Sequence, residues 1–247
     1  MTRKTTRKFG LIGYPITHSF SPGYFSHKFE SEGILDADYS LYPLSRIEEF
    51  LALKGMTGVN VTIPYKEQVI PYLDNLSKDA RAIGAVNTIK YTRTGETCGY
   101  NTDCYGFQHS LLGINKDKPP RNALVLGTGG AAKAVWYVLN QLEVPFSTVS
   151  RSKGDLQYSD LTPTIIADHQ LIVNTTPLGM APKIDACPEI PYEALSSEHI
   201  LYDLIYNPEK TLFLIKGEAS GATIKNGLEM LQLQAEKAWE IWNSPSL

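Results

Sequence analysis

The segment NVTIPYKE, residues 60–67, alternates polar and apolar side chains from Asn60 to Ile63, meets Pro64, and then presents Lys66. A lysine there is either a solvated charge beyond a strand end or a group placed to move a proton, and the segment alone leaves both readings open. A second stretch, GYNTDCYG at 99–106, carries Asp103 where one element ends and a helix begins. Asn, Thr and Asp are all good helix N-caps, so this carboxylate also has a purely structural reading. An aspartate beside a lysine would stabilise the ammonium and hold its direction. A third stretch, LVLGTGGAAKA at 124–134, spaces Gly127, Gly129 and Ala132 as G-x-G-x-x-A. It follows a short apolar run and opens a helical pattern, which is the context a dinucleotide-binding turn requires. The first glycine permits the tight turn, the second lets backbone approach a pyrophosphate, and the helix N-terminus offers N–H groups and a positive dipole end.

The next apolar run ends in TVSRSK, 148–153. A cofactor with a free ribose hydroxyl calls for Asp or Glu at this point, whereas arginine suits a 2′-phosphate. Arg151, flanked by Ser150, Ser152 and Lys153, points to NADP; a solvated loop arginine is the alternative. An enzyme that exchanges hydride between nicotinamide and an alcohol must also move a proton, so it needs an acid/base group near the carbinol oxygen. Lys66 and Asp103 are the candidates. A metal is the other device, but His18, His27, His109, His169 and His199 are scattered over separate segments, and no Cys/His spacing suits a metal site. Ser19, Ser21, Asn60, Thr62, Asn87 and Asn101 stand at element ends, where a polyhydroxylated substrate would need them. Taken singly, each also reads as a cap or turn former.

These residues must be held by elements that the pattern makes legible. In the first hundred residues, strands are expected at 8–15, 38–44 and 58–63, helices at 21–34 and 45–53, and a hairpin at 84–101 with Thr94-Gly95 near its turn. Ser21 fits the N-cap of the first helix and Pro22 its first position. This order predicts a largely parallel sheet with antiparallel edges. From residue 103 the pattern changes: a helix at 103–113, a linker-like 114–121, then strands at 122–127, 146–151, 171–176 and 199–206 around a helix at 131–143. This is a doubly wound unit. The last helix, 227–242, sets Leu228, Leu231, Ala235, Ala238, Ile241 and Trp242 on one arc, with Glu229, Glu236 and Glu240 opposite. Gln234 falls inside the apolar arc, where an amide needs partners from backbone or from a ligand.

Composition bounds the rest. The 247 residues suffice for one large domain or two modest ones, and 43% hydrophobic with 20% charged residues is ordinary for a globular chain. A net charge of −3 offers no broad basic surface for nucleic acid. The basic cluster of Arg3, Lys4, Arg7 and Lys8 lacks the apolar run and cleavage site of a signal peptide. No segment approaches the roughly 18 apolar residues of a membrane span. Cys98, Cys104 and Cys187 are too few and too irregular for a disulfide framework, which suits a reducing, cytoplasmic compartment.

Taken in order, GYPITHSFSP (13–22), NVTIPYKE, AIGAVNTI (82–89), GYNTDCYG, LGTGGAAKA (126–134), SRS (150–152), NTTPLGM (174–180), DLIYNP (203–208) and GLEMLQLQA (227–235) resemble the shikimate dehydrogenase family along nearly the whole chain. The resemblance implies an α/β protein of two domains with a cleft between them. One is a mixed, mostly parallel substrate domain at 1–102 plus 227–247; the other is a Rossmann-like NADP domain at 103–226. It implies reversible reduction of 3-dehydroshikimate to shikimate by NADPH, on the route to chorismate and the aromatic amino acids. Ser19 and Ser21 would hold the substrate carboxylate with Tyr206 nearby, and Asn60, Thr62, Asn87, Asp103 and Gln234 would bond the ring hydroxyls. Lys66 would be the acid/base group with Asp103 as its partner. Gly127, Gly129, Gly130 and Ala131 would meet the pyrophosphate, Ser150, Arg151 and Ser152 the 2′-phosphate, and Thr175, Gly227 and Met230 would lie near the cofactor. No metal, membrane or nucleic acid is implied, and the chain would act as a monomer or homodimer.

The match has departures. The family's Asn-Arg-Thr reads Ser-Arg-Ser here, and Asp155 replaces a basic residue, a charge that should repel phosphate unless Lys153 offsets it. The stretch 152–162 is compact for the family. A relative that also oxidises quinate, with NAD or NADP, is the nearest rival. A non-catalytic NADP-binding sensor on the same fold is a rival of another class, and the presence of both Lys66 and Asp103 speaks against it.

Overall fold

The computed structural model describes residues 6–114 and 118–245. Arg3 and Lys4 of the basic cluster and residues 115–117 of the linker-like stretch lie outside the described residues. The chain divides into two compact units, Met1–Thr102 with Ala235–Leu247, and Asp103–Gln234.

The first unit is built on β1 (Arg7–Gly13), α1 (Phe20–Ser31), β2 (Ala37–Pro43), β3 (Gly58–Val61), the single turn α2 (Tyr65–Gln68), β4 (Asn75–Leu76), α3 (Lys78–Ile83), β5 (Thr88–Tyr91) and β6 (Thr97–Tyr100). The sheet order is β2-β1-β3-β5-β6-β4. β1 pairs in parallel with β2 and β3, because helical or 3-10 segments carry the chain back between them. The antiparallel pairs β3–β5 and β5–β6 lie inside the sheet and not at its edge as expected, since the short β4 adds a parallel strand beyond β6. The segment expected as a helix at 45–53 forms a 3-10 helix at Ile47–Ala52. Ser19, not Ser21, occupies the N-cap of α1, so Ser21 lies in its first turn.

The second unit holds α4 (Asp103–Ile114), β7 (Ala123–Leu126), α5 (Gly130–Gln141), β8 (Phe146–Val149), α6 (Pro163–Asp168), β9 (Leu171–Asn174), β10 (Ile200–Asp203), α7 (Leu212–Ala219) and β11 (Thr223–Lys225). Its sheet is wholly parallel in the order β11-β10-β9-β7-β8. ALVL of β7, LIVN of β9 and ILYD of β10 are buried at every position, the pattern of strands covered on both faces. The order reverses at β7 and β9, where a doubly wound sheet leaves a crevice at its carboxyl ends.

The last helix, α8 (Leu228–Asn243), contributes to both units. The sequence pattern places the return to the first unit at 227, whereas the compact units change at Ala235. Residues before Ala235 are tied to the second unit: Gly227 N–H donates to the Ile205 carbonyl at 3.0 Å, Lys225 pairs with Glu229, and Ser110 Oγ donates to Glu229 at 3.2 Å. From Ala235 onward the helix packs on the first sheet. Trp242 Nε1 donates to the Ile89 carbonyl at 3.0 Å, and Gly58 has no room for a Cβ against the Trp242 indole. Glu236, opposite the apolar arc, accepts from Tyr24 and pairs with the buried Lys28 at 2.8 Å, fixing α8 to α1. Lys28 also pairs with Glu32 at 2.6 Å, so its buried ammonium is held by two carboxylates, one on α1's C-terminal side and one on α8.

Candidate active site

In the first unit, polar side chains expected to serve one site share one buried hydrogen-bond chain. Tyr39 donates to Asn60 Oδ1 at 2.8 Å, and Asn60 Nδ2 reaches the Asn87 carbonyl at 3.3 Å and Thr88 Oγ1 at 3.2 Å. Asn87 in turn donates to Thr102 Oγ1 at 3.0 Å and accepts from the Thr102 N–H at 2.7 Å. Asn60, Asn87, Thr88 and Thr102 are all buried. Strand register makes this possible, since Asn60 of β3 lies opposite Thr88 of β5, and Thr88 lies opposite Tyr100 of β6. Burial pushes the Tyr39 phenol well up, with the Ser21 hydroxyl pulling the other way, so Tyr39 stays a neutral donor.

The segment bearing Lys66 is fixed to the same place. β3 ends at Val61, Pro64 takes the N-cap position of α2, and Tyr65, buried and bonded through its hydroxyl to the Leu44 carbonyl at 2.7 Å, begins that helix. The Lys66 carbonyl accepts from the Val86 N–H at 2.7 Å, one residue before Asn87, and Val61 N–H donates to the Asn87 carbonyl at 2.8 Å. The half-buried Lys66 therefore starts from a backbone pinned to the Asn87 segment. Thr62, also half-buried, donates its N–H to Ile12 at 2.9 Å, and its methyl lies against Gly13. Ser19 donates its N–H to Ile16 at 3.2 Å at the head of α1.

The second unit begins at Asp103, the first residue of α4, directly after the Thr102 that Asn87 grips. Gln234, the last residue of this unit, is buried and donates Nε2 to the Leu231 carbonyl at 2.9 Å. Tyr206 follows β10 and is half-buried, and burial raises its phenol pKa. Asp203, at the end of β10, is fully buried yet accepts three bonds: Thr211 Oγ1 at 2.6 Å, Ile205 N–H at 3.0 Å and Asn174 Nδ2 at 3.1 Å. Burial outweighs those bonds and raises its pKa to about 6. Asn174 Oδ1 accepts from Thr176 N–H and hydroxyl at 3.0 and 2.7 Å, so Asp203 braces the loop after β9.

That loop lines a pocket of about 500 Å³ at the carboxyl ends of β7, β8 and β9. Gly127, Thr128 and Gly129 form one wall, Ser150, Arg151 and Ser152 a second, and Thr175 to Leu178 a third. Gly127 has φ +109, and a Cβ on it would come within 2.6 Å of Thr175 Oγ1. A Cβ on Gly129, at the N-cap of α5, would meet nothing of the protein, so the space above it is open to a ligand. A helix N-terminus with open space over its glycine and an arginine on the facing turn is a fitting cradle for a dinucleotide phosphate. Gly130 opens α5 and Ala131 follows it, but neither is a lining residue. Gly227 and Met230 also do not line this pocket: Gly227 lies against the Leu204 backbone, and the buried Met230 sets its carbonyl against Gly106. Among the described residues, no group of three or more His, Cys, Asp or Glu comes together as a metal site.

A family model for the shikimate dehydrogenase substrate binding domain matches residues 11–89, the stretch that carries most of the first hydrogen-bond chain. Shikimate dehydrogenase (NADP(+)) of Carboxydothermus hydrogenoformans is 38% identical over 265 residues, covering 98% of this chain and 93% of the relative. The chain belongs to the shikimate dehydrogenase family. Among solved structures, shikimate 5-dehydrogenase of Thermus thermophilus, in complex with NADP(H) and shikimate, is 31% identical with a TM-score of 0.83, over 96% of this chain and 94% of that one. Quinate dehydrogenase of Corynebacterium glutamicum, in complex with NAD, is 26% identical with a TM-score of 0.85, over 97% and 94%.

Within this shikimate dehydrogenase fold, sequence reading missed Tyr39, Thr88 and Thr102 in the first unit and Thr128, Tyr158, Thr176 to Leu178 and Asp203 in the second. Thr88 and Thr102 sit inside the recognised stretches AVNTI and YNTD, beside residues that were singled out. Asp203 opens the recognised stretch DLIYNP, but its bracing role, like that of the strand tyrosine Tyr39, carries no local signal, because both residues are ordinary until their partners are known.

Proposed function

We propose that this chain is an NADP-dependent shikimate dehydrogenase that catalyses the reversible reduction of 3-dehydroshikimate to shikimate, a step toward chorismate and the aromatic amino acids. The observation that carries the reading is the hydrogen-bond chain Tyr39–Asn60–Thr88–Asn87–Thr102, a set of oriented polar groups suited to a ligand rich in hydroxyls. In this reading Met1–Thr102 with the end of α8 forms the substrate domain, and the parallel-sheet unit is the NADP domain.

Ser19 and Ser21, at the head of α1, bind the substrate carboxylate, where the helix N-terminus adds favourable dipole. Tyr206 stands near that group. Asn60, Thr62, Asn87 and Gln234 bond the ring hydroxyls; Asn60 and Asn87 are fixed by neighbours that leave little rotational freedom, so orientation is set before binding. NADPH, when bound, supplies hydride to the ring carbonyl carbon. The Lys66 ammonium gives its proton to the carbonyl oxygen as charge develops there, and takes it back from the alcohol in the oxidative direction. Asp103 holds that ammonium in direction. Gly127, Gly129, Gly130 and Ala131 accommodate the pyrophosphate, Ser150, Arg151 and Ser152 bind the 2′-phosphate, and Thr175, Gly227 and Met230 serve the rest of the cofactor.

The likeness to quinate dehydrogenase favours one second reading, a dual quinate/shikimate dehydrogenase able to use NAD. Steady-state oxidation of shikimate and quinate, each with NADP and NAD, separates the two. The first reading expects shikimate with NADP to give the highest kcat/KM. Equal turnover of quinate supports the second, and activity with neither substrate overturns both. The cysteine usage and the composition support a cytoplasmic enzyme acting as a monomer or homodimer. No helix among the described residues is long and apolar enough to cross a membrane.

A further inference from the structure

Asp155 stands where a positive charge would be expected beside a 2′-phosphate, and its carboxylate is already committed elsewhere. Its Oδ2 accepts from the Thr148 N–H at 2.8 Å and from Thr148 Oγ1 at 2.7 Å, and its own N–H donates to Thr148 Oγ1 at 3.0 Å. Around this pair the chain closes on itself. Ser150 N–H donates to the Leu156 carbonyl at 3.1 Å and Leu156 N–H to the Thr148 carbonyl at 3.0 Å, a parallel bridge on the edge of β8. Ser150 Oγ accepts from Ser152 and Lys153 N–H at 3.3 and 2.7 Å. Gly154 lies under the loop, where a Cβ would come within 2.7 Å of the Ser150 nitrogen and the Thr148 carbonyl oxygen. Residues 151–153 are the exposed crest of the loop, and Ser150, Arg151 and Ser152 line the cofactor pocket. Among the described residues, that lining includes neither Lys153 nor Asp155.

We propose that Asp155 is a positioning residue for cofactor choice: by clamping Thr148 it closes the 148–156 loop and so presents Ser150, Arg151 and Ser152 to the 2′-phosphate. The inference rests on the NADP reading above. The bonds from Thr148 hold the Asp155 carboxyl below its ordinary pKa, so the clamp persists through the neutral range. The compactness of this stretch has the same cause. A loop fastened at Thr148, Ser150 and Leu156 needs no longer segment to fix its crest. The charge of Asp155 acts against the phosphate only weakly, because the carboxylate faces Thr148 and solvent screens an exposed group.

The test is direct binding of 2′,5′-ADP and 5′-AMP, measured by calorimetry, to the wild-type chain, Asp155→Asn and Asp155→Ala. Asn keeps an oxygen that accepts from Thr148 and removes the charge, whereas Ala removes both. We expect Asp155→Asn to keep 2′,5′-ADP affinity within about twofold. Asp155→Ala should lose about five- to tenfold, with 5′-AMP affinity unchanged in both, a loss the size of one or two hydrogen bonds. Tighter 2′,5′-ADP binding by both variants would mean that the charge and not the clamp matters, and overturns the proposal. So does unchanged binding by Asp155→Ala, or an equal loss of both nucleotides. A wild-type chain that fails to prefer 2′,5′-ADP over 5′-AMP refutes the NADP reading itself, and this inference with it.

Discussion

Tyr39 and Asn60 are joined by a 2.8 Å hydrogen bond, with the phenol donating to the amide oxygen. That bond leaves Asn60 Nδ2 to donate toward Thr88 and the Asn87 carbonyl, so a strand tyrosine decides which way the Asn60 amide points. Tyr39→Phe keeps the ring, which stacks on Phe25 at 4.5 Å between centroids, and deletes only the donor. The expected result is a KM for shikimate raised about three- to tenfold with kcat within about twofold, the size of one net hydrogen bond. Steady-state kinetics checks it; an unchanged KM would remove Tyr39 from the binding apparatus.

Lys66→Ala is expected to lower turnover by about 10²–10⁴, the usual worth of a general acid/base group. The fold should survive, because the anchors of this segment are the buried Tyr65 and the backbone bond from Val86 to the Lys66 carbonyl. Circular dichroism and turnover measured together test both halves. Near-normal turnover would sink the mechanism.

Two glycines of the same turn should fail in different ways. Gly127→Ala forces a side chain into a left-handed conformation and onto Thr175, so stability should fall by about 1–3 kcal/mol. Gly129→Ala has ordinary φ and meets no protein atom, so stability should stay within about 1 kcal/mol. Its NADP affinity should nevertheless fall tenfold or more, since the new methyl takes space the pyrophosphate needs. Thermal melts set against cofactor titrations separate the two, and full NADP affinity in Gly129→Ala would refute the placement.

Asp203 gives a pH prediction. Its pKa rises from 3.8 to about 6 on folding, so between those values the native state binds more protons than the unfolded one. Stability from this group is then fullest below about pH 4 and is lost as pH rises to about 6, by on the order of 2–3 kcal/mol. Asp203→Asn abolishes the titration, so its stability should change less steeply across that window than that of the wild type. Denaturant midpoints from pH 4 to 6.5 report the difference, and parallel curves would contradict the assignment.

Much of the fold was legible along the chain. Buried runs such as ALVL and LIVN identify parallel strands because both faces must be apolar, and the glycine turn before α5 identifies itself through local backbone demands. The α1 cap and the interior position of the antiparallel strands were misjudged. Two serines two positions apart compete for one cap, and a two-residue strand such as β4 carries no periodicity. Helical spacing sets Glu236 opposite the apolar arc and names no partner for it. Its real partners, Tyr24 and Lys28, lie over two hundred positions away in sequence.

The sequence by itself determined the residue types, the order of elements, and the motifs that place this chain in its family. Those properties depend on neighbours along the chain: which side chains share a face, where a cap or a proline ends a helix or strand, and where only glycine turns. Tertiary structure alone decided which groups hold one another. It joined Tyr39 to Asn60 and Asn87 to Thr102, and set Asp203 beneath the loop after β9. It turned Asp155 from an expected repulsive charge into a partner of Thr148. The reason is physical: a hydrogen bond needs donor and acceptor within about 3 Å, and strand register, not sequence spacing, brings distant residues that close.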